Sequence, residues 1–577
     1  MQKIKDIWNY SGQYKKYLAA LPVMAALEVC CEVLIPYFMS DIIDKGVAEG
    51  DMDRLIRTGL FMVAVSVLLG ITSFFMGYTC SVWASGVTRN LRQKLFEKIQ
   101  TLSFQDINRI GNASIITRMS TDMNYIKKAL GMVSSLIQCP MMILLTVIMT
   151  FKINRSMSWI FAANIPLFAF VLFLIIRFSR RHYRQLFQKY DLMNGILEED
   201  TQNIRTIRAF EKKDYEYDRF HFAASSVMRE SYHAEKITAL NNPILQLAVN
   251  ISVIFLLYAG GINIIHGKME PGDLFCMITY TNQILAQIMI IALILVPILS
   301  AQISLNRVFE LLDTVPSQED IKEEESLLPA DGSICFDHVS FGYFDHEPEK
   351  YVLKDISLSL PSGSVLGIIG ASGSSKSTLV HLLLRFYDPA EGTISVGGHD
   401  IRNYSFEALR SVIGFVPQKS ILYSGTIREN LSFGNENATE EEMIYACRAA
   451  CAHDFIMSFP DGYDTRISEK GTSLSGGQRQ RLCIARALIR KPDILILDDS
   501  LSALDTVTDQ AVRKSLSSYY KGTTIIMIAQ RISSIQSADQ ILVLDNGSIS
   551  GMGTHEKLLA ENTIYREIDQ SQKKNME

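Results

Sequence analysis

The chain has 577 residues, of which 48% are hydrophobic and 20% charged, with a mean hydropathy of +0.13 and a net charge of −5. Soluble domains carry about 25% charged residues, so these averages exclude disorder and a collagen-like chain and argue against a wholly soluble enzyme. The acidic balance argues against a nucleic-acid binder, which needs a basic surface, and the length asks for several domain-sized units.

In chain order, residues 1–16 show no signal-peptide cleavage pattern and place Trp8, Tyr10 and Tyr14 among lysines. That mixture predicts an interfacial helix leading into the membrane. Six apolar stretches follow, at 17–42, 60–82, 130–151, 159–178, 239–265 and 274–301. Each approaches or exceeds the roughly 20 residues that cross a bilayer. Pro22, Pro36, Pro140, Pro166, Pro243 and Pro297 lie within them, and packed membrane helices tolerate proline because neighbours re-satisfy the freed carbonyl.

The connections are unequal. Those at 43–59, 152–158 and 266–273 are short, whereas 83–129 and 179–238 are long and helical in pattern. Arg177, Arg180, Arg181 and Arg184 follow the fourth stretch, and Asp41, Asp44, Glu49, Asp51 and Asp53 crowd the first short loop. Basic residues mark the cytoplasmic side, so the long loops and both termini are expected in the cytosol. At ~1.5 Å per residue, thirty helical residues would reach about 45 Å from the membrane. The nine cysteines form no zinc-type spacing and are read as buried, reduced thiols.

After Pro316, Ser317 and an acidic run at 319–325 the composition turns ordinary, and residues 332–343 alternate like a strand. A short buried strand at 365–369 then leads into Gly370, Ala371, Ser372, Gly373, Ser374, Ser375, Lys376, Ser377 and Thr378, followed by an apolar helix. Strand, glycine-rich turn, Lys-Ser and helix make a phosphate cradle for ATP. Backbone N–H groups wrap the phosphates, Lys376 reaches the terminal ones and Ser377 ligates Mg²⁺. Ser375 departs from the pattern, which has glycine before the lysine. A second apolar run at 494–497 delivers Asp498 to the metal.

Twenty residues earlier stands Leu474-Ser475-Gly476-Gly477-Gln478, which resembles the signature of the ATP-binding cassette (ABC) family. The resemblance implies further roles: Tyr343 as the adenine-stacking aromatic, Gln418 as a Q-loop residue touching Mg²⁺ and sensing the membrane half, Glu469 ahead of the signature, and Ser502 to Asp505 as the D-loop. It extends over the whole chain, because six spans with two long cytosolic loops and one cassette are the arrangement of an exporter half-transporter. The expected fold is therefore an α-helical membrane domain, 1–316, joined to an α/β P-loop cassette, 317–577. By the same resemblance, short transverse helices near 111–118 and 203–210 would dock on cassettes.

Two more positions depart from the family. Asp499 stands where it usually has a glutamate that polarises the attacking water, and Gln530 where it has a histidine. A carboxylate one methylene shorter sits back by roughly 1 Å, and displacements of that order can cost ~10²-fold. Glutamine bonds a phosphate but is never cationic. The alternative is a working ATPase in which Asp499 serves as the base. Family nucleotides lie between the P-loop of one cassette and the LSGGQ of the other, so a homodimer would hold two poor sites and a heterodimer one poor and one good, and the chain resembles the degenerate-site subunit of heterodimeric bacterial multidrug-type exporters. This chain would carry a degenerate ATP site of its own, while its intact Ser475, Gly476, Gly477 and Gln478 complete the site of a second half-transporter.

Within the membrane half, Glu28 and Glu32 lie four apart on one helical face. Carboxylates at membrane depth face a cavity or a partner, so they read either as a site for cationic substrates or as a pair bonded to neighbouring helices or near the interface. Gln246 with Asn250, and Gln283 with Gln287, read as interhelical glue. The expected function is ATP-driven export of a small molecule, lipid or peptide from a bacterial cytoplasmic membrane; the alternative is an ATP-gated regulatory or channel-like subunit.

Overall fold

The computed structural model describes residues 7–322, 326–343, 348–468 and 471–574, apart from some side chains between 160 and 187, between 238 and 242, and between 295 and 299. The chain forms two units. One comprises 1–100 and 113–314, the other 101–112 and 315–577.

The first unit is helical. Its main elements are α1 (Lys15–Asp41), α2 (Met52–Thr101), α3 (Phe104–Ile110, which belongs to the second unit), α4 (Asn112–Thr117), α5 (Met123–Gly131), α6 (Val133–Ile153), α7 (Ser158–Gln202), α8 (Ile204–Ala209), α9 (Lys213–Ala239), α10 (Asn241–Ile265) and α11 (Pro271–Asp313). Among the described residues, five helical segments are long and apolar enough to cross a membrane; they contain the first, second and third expected stretches and overlap most of the fifth and sixth. The fourth falls on α7, where most side chains are outside the description.

Helix α1 continues as a π-helix over Ile42–Val47 and contains Pro22 and Pro36. It packs on α6 and α11 around Val29, Val33, Met142, Tyr280, Ile284 and Ile288. Tyr280 anchors this contact by donating to the Val33 carbonyl at 2.8 Å. In contrast, Phe61, Val67, Ile71, Phe74 and Tyr78 of α2 are exposed, an apolar face suited to lipid. Gln246 and Asn250 are exposed on α10. The cysteines are free; most are buried, but Cys30 is exposed, contrary to expectation.

The second unit is built on two main sheets. Strands β1 (Ile334–Phe341), β2 (Leu353–Leu360), β4 (Glu391–Val396) and β5 (His399–Asp400) form an antiparallel sheet in the order β2-β1-β4-β5. The larger sheet uses β3 (Val365–Gly370), β6 (Ile413–Val416), β9 (Ile494–Asp498), β10 (Thr524–Ile528), β11 (Gln540–Asp545) and β12 (Ser548–Gly553) in the order β12-β11-β3-β10-β9-β6. All its pairings are parallel except β11 with β12. Every residue of β9 and β10 is buried, which is why both read as unbroken apolar runs rather than alternating ones. Open parallel sheets present ligand sites at the carboxyl ends of their strands, and here those ends carry Gly370, Asp498 and the segment before Gln530.

Helix α3 corrects the expected docking element near 111–118. The residues that pack on the cassette are Phe104, whose ring lies 4.3 Å from that of Phe386, and Asn108, which donates to the Tyr387 hydroxyl at 2.8 Å. Gly111, at φ 84°, then turns the chain into α4. Arg118 lies in the first unit, buried, donating to the Arg307 carbonyl and to Glu310. Asp106 fixes the start of α3. It is 2% exposed and accepts from the Ser103 hydroxyl at 2.8 Å and the Ser317 N–H at 2.9 Å. Burial pushes its carboxyl up, but these donors outweigh burial and leave it below the usual carboxylate range.

Candidate functional site

The site begins where β3 ends. A Cβ on Gly370 would run into the Leu544 carbonyl and the Ser374 hydroxyl, so only glycine lets the chain turn here. Gly373, at φ 84°, continues the turn with open space where its side chain would be. Ser375 follows at φ 69°, ψ 25°, left-handed and without a side-chain bond to the helix it precedes, Lys376–Leu383. The position therefore keeps the conformation that glycine adopts freely, and a serine bears it at a cost.

Lys376 folds back into the turn, donating to the Gly370 and Ala371 carbonyls at 2.9 and 2.8 Å and to the Ser374 hydroxyl at 3.3 Å. Burial lowers its pKa, and the carboxylates of Asp499 and Asp498 oppose that shift. Ser377 donates to Asp498 at 3.1 Å, bringing together two of the three oxygen ligands expected for Mg²⁺. Burial raises the Asp498 pKa, and the Ser377 bond offsets part of the effect. A cation beside this pair would relieve the desolvated carboxylate. With the helix N-terminus and the glycine turn, the residues fit a Mg²⁺-bound polyphosphate.

Asp499 is 8% exposed and sits at φ 48°. Its N–H donates to the Ile528 carbonyl at 3.0 Å, and its carbonyl accepts from the Ser502 hydroxyl at 2.8 Å. Its carboxylate accepts from the Gln530 side chain at 2.7 Å. Two of the three residues that depart from the family pattern are thus direct partners. They share the wall of a cavity of about 200 Å³ with Ser502, Met527, Arg531 and Ser534.

Tyr343 comes to the same region, its hydroxyl 2.8 Å from that of Thr378 and its ring edge-on to Phe341 and Tyr387. Through Tyr387 and Asn108 it connects to α3, a link the sequence reading missed. Ser372 is exposed at the turn. Gln418 lies two residues beyond β6, exposed, and makes no hydrogen bond to Ser377 or Asp498. Glu469 lies outside the described residues.

The signature forms a separate helix N-terminus. Ser475 caps Gly476–Leu488 in a reciprocal box: its hydroxyl accepts from the Gln478 N–H, and Gln478 accepts from the Ser475 N–H at 2.9 Å. Gly477 packs closely on Leu504, and Gln480 accepts from the Ala503 N–H at 3.1 Å, so signature and D-loop move as one piece. Asp505 caps Thr506–Tyr519 and accepts from the Thr508 N–H and hydroxyl, bonds that hold its pKa down. Glu28 and Glu32 lie in the other unit, on α1.

Residues 18–288 match the family described as ABC transporter transmembrane region, and residues 353–502 the family described as ABC transporter. An uncharacterized ABC transporter ATP-binding protein of Mycobacterium tuberculosis (strain CDC 1551 / Oshkosh) is 35% identical over 97% of this chain and 96% of its own length. An ATP-dependent lipid A-core flippase of Syntrophus aciditrophicus is 34% identical over 93% of this chain and 89% of its own. The solved structure of a bacterial Atm1-family ABC exporter with ATP bound superposes with a TM-score of 0.83 at 26% identity, covering 97% of this chain and 99% of that one. With a helical membrane domain and a P-loop cassette in one chain, the protein belongs to the ABC transporter family as an exporter half-transporter, an integral membrane protein that uses ATP to drive export.

Proposed function

We propose that this chain is one half of a heterodimeric exporter, holding Mg-ATP at its own P-loop but hydrolysing it slowly, and lending its signature to a faster site on the partner. The observation that carries this reading is the Gln530–Asp499 hydrogen bond. It engages a carboxylate already one methylene short of the family's glutamate, and the engaging group is a neutral amide. Tyr343 would stack on the adenine. The turn from Gly370 to Thr378, with Lys376, would hold the phosphates, and Ser377, Asp498 and Gln418 the Mg²⁺, which supplies positive charge against the transferred phosphoryl oxygens. Ser475, Gly476, Gly477, Gln478 and Asp505 would face the partner's nucleotide.

In the membrane, Glu28 and Glu32 would face the substrate path, with the cassette (317–577), long loops and termini on the cytosolic side of a bacterial cytoplasmic membrane. Glu28 is 8% exposed and its Oε2 has no hydrogen-bond partner among the described residues; the same holds for Oε1 of Gln283 and of Gln287. Gln283 donates to the Glu32 carbonyl at 3.3 Å, and Tyr280 to that of Val33. Helices α1 and α11 therefore run antiparallel, and one further turn along each sets Gln287 level with Glu28. Buried acceptors without donors are costly, and an ammonium group satisfies them. Cations with N–H donors are the substrate class this arrangement favours.

The test is ATP turnover by the purified chain alone and with a half-transporter that carries glutamate and histidine at the two divergent positions. Turnover should be low alone and restored by the partner. In the pair, Ser475→Arg should nearly abolish turnover, because donors at that position act on developing charge and are worth ~10²–10³ in rate. Lys376→Ala should leave a substantial fraction. Robust turnover by the lone chain, or greater damage from Lys376→Ala, would overturn the reading.

A further inference from the structure

Gln572 lies 42 residues beyond Gln530, on the helix Thr563–Lys574, and belongs to none of the nucleotide motifs. Its side chain nevertheless holds the end of the nucleotide site by both ends of one amide. Nε2 donates to the Gln530 carbonyl at 2.7 Å, and Oε1 accepts from the Ile532 N–H at 2.9 Å. Reversing the amide would set like against like at both contacts, so its orientation is fixed. The two bonds straddle Arg531, where β10 has ended and the short helix Ile532–Ile535 begins. Between those two elements Ala529 still donates to the Ile368 carbonyl at 3.1 Å, and beyond it the Gln530 carbonyl is held by Gln572.

The helix that carries Gln572 is firmly seated. Tyr565 is fully buried, its hydroxyl lies 2.7 Å from His555 Nδ1, and its N–H donates to Asn562 at 2.8 Å. The chain of contacts therefore runs from an anchored helix through Gln572 to the backbone of residues 530–532, and from there through the Gln530 side chain to Asp499.

We propose that Gln572 is the positioning residue of this site: it sets the direction of the side chain at position 530 and thereby the engagement of Asp499. The proposal rests on the assignment of Asp499 and Gln530 to the ATP site. It predicts an influence on whatever residue occupies position 530, because Gln572 bonds backbone and not side chain. Misplacing a reacting group by about 1 Å can cost ~10²-fold in rate, and loss of one of two braces should cost less than that.

The experiment has two arms, both on the full-length chain paired with its half-transporter. In the first, hydrogen exchange is followed across residues 529–533, together with release of a fluorescent ATP analogue from this chain's P-loop site. Gln572→Ala should speed both by about tenfold, and Gln572→Glu, which keeps the acceptor for Ile532 but sets a carboxylate oxygen against the Gln530 carbonyl, should speed them at least as much. In the second, the partner's catalytic glutamate is replaced by glutamine and this chain carries Asp499→Glu with Gln530→His. Adding Gln572→Ala should lower kcat about tenfold and raise KM for ATP in step with the faster release. Unchanged exchange and release would overturn the proposal, as would a lowered Tm with release and kcat unmoved, which marks a purely structural glutamine. If the Glu/His background does not turn over, the reading of Asp499 and Gln530 as the limiting residues fails, and the first arm still decides on Gln572.

Discussion

Gln530 donates its side-chain amide to the carboxylate of Asp499 over 2.7 Å, while Asp499 is held from behind by the Ile528 carbonyl and the Ser502 hydroxyl. Two changes that look independent in the sequence are one contact in the fold. Replacing only one should therefore help little. Asp499→Glu alone lengthens the carboxylate into a neighbour placed for aspartate, and Gln530→His alone leaves the short carboxylate. The double change should raise single-turnover hydrolysis at this site by up to ~10²-fold, measured with the partner's site inactivated. Single-change gains whose product equals the gain of the double change would show that the pair is not coupled.

Ser375 is a strained residue where the phosphate turn wants glycine. Left-handed backbone costs an L-residue about 1–2 kcal/mol, and glycine gives back about 0.5–1 through its freer unfolded chain. Ser375→Gly should therefore stabilise the cassette by roughly 0.5–1 kcal/mol and tighten ATP binding at this site. Thermal unfolding and nucleotide titration of the full chain check it. Gly370→Ala should do the reverse, because its methyl group has no room beside the Leu544 carbonyl.

Asp106 couples α3 to the linker at Ser317, and its stability contribution carries a pH signature. Its folded pKa lies below the ordinary value, so the contribution is fully present above about pH 4 and disappears as pH falls through the lower folded value. Asp106→Asn should cost about 1.5–3 kcal/mol near neutrality, the range for bonds to a charged acceptor. The gap between variant and parent should close below about pH 4. Unfolding midpoints measured against pH test this; a constant gap would assign the stability to shape rather than charge.

The unpaired oxygens of Glu28, Gln283 and Gln287 call for hydrogen-bond donors and not for charge alone. Two probes separate these demands: 4-phenylbutylamine, whose ammonium carries N–H groups, and its N,N,N-trimethyl analogue, which has the same charge and none. The amine should stimulate ATP turnover at a concentration about tenfold lower, the worth of one good charged hydrogen bond. Glu28→Gln should erase the preference and leave basal turnover within about twofold. Equal potency of the two cations would leave the three oxygens without a substrate role.

Much of the cassette is legible in the chain because its central strands are buried on both faces. Residues 494–497 and 365–369 read as strands for the reason that makes them strands. The phosphate turn is legible because backbone geometry restricts its residue types, and Ser375 stands out by violating that restriction. The position of α3 was missed by about seven residues, although Ser103 and Asp106 form a capping box at helix-start spacing. Gln572 was invisible, because a side chain that bonds only backbone leaves no complementary residue to find. The membrane carboxylates were found by their cost, but their companions on α11 required the register between two helices.

The second unit is assembled from two separated stretches of chain, 101–112 and 315–577. The smaller follows α2 and precedes the larger by some two hundred residues of chain, so the later part closes on a piece already made. A cassette cut from the chain at the linker would leave the Phe386 ring and the Tyr387 hydroxyl without Phe104 and Asn108. A change at the end of α2 therefore reaches the ATP-binding half through these two contacts, with no nucleotide involved.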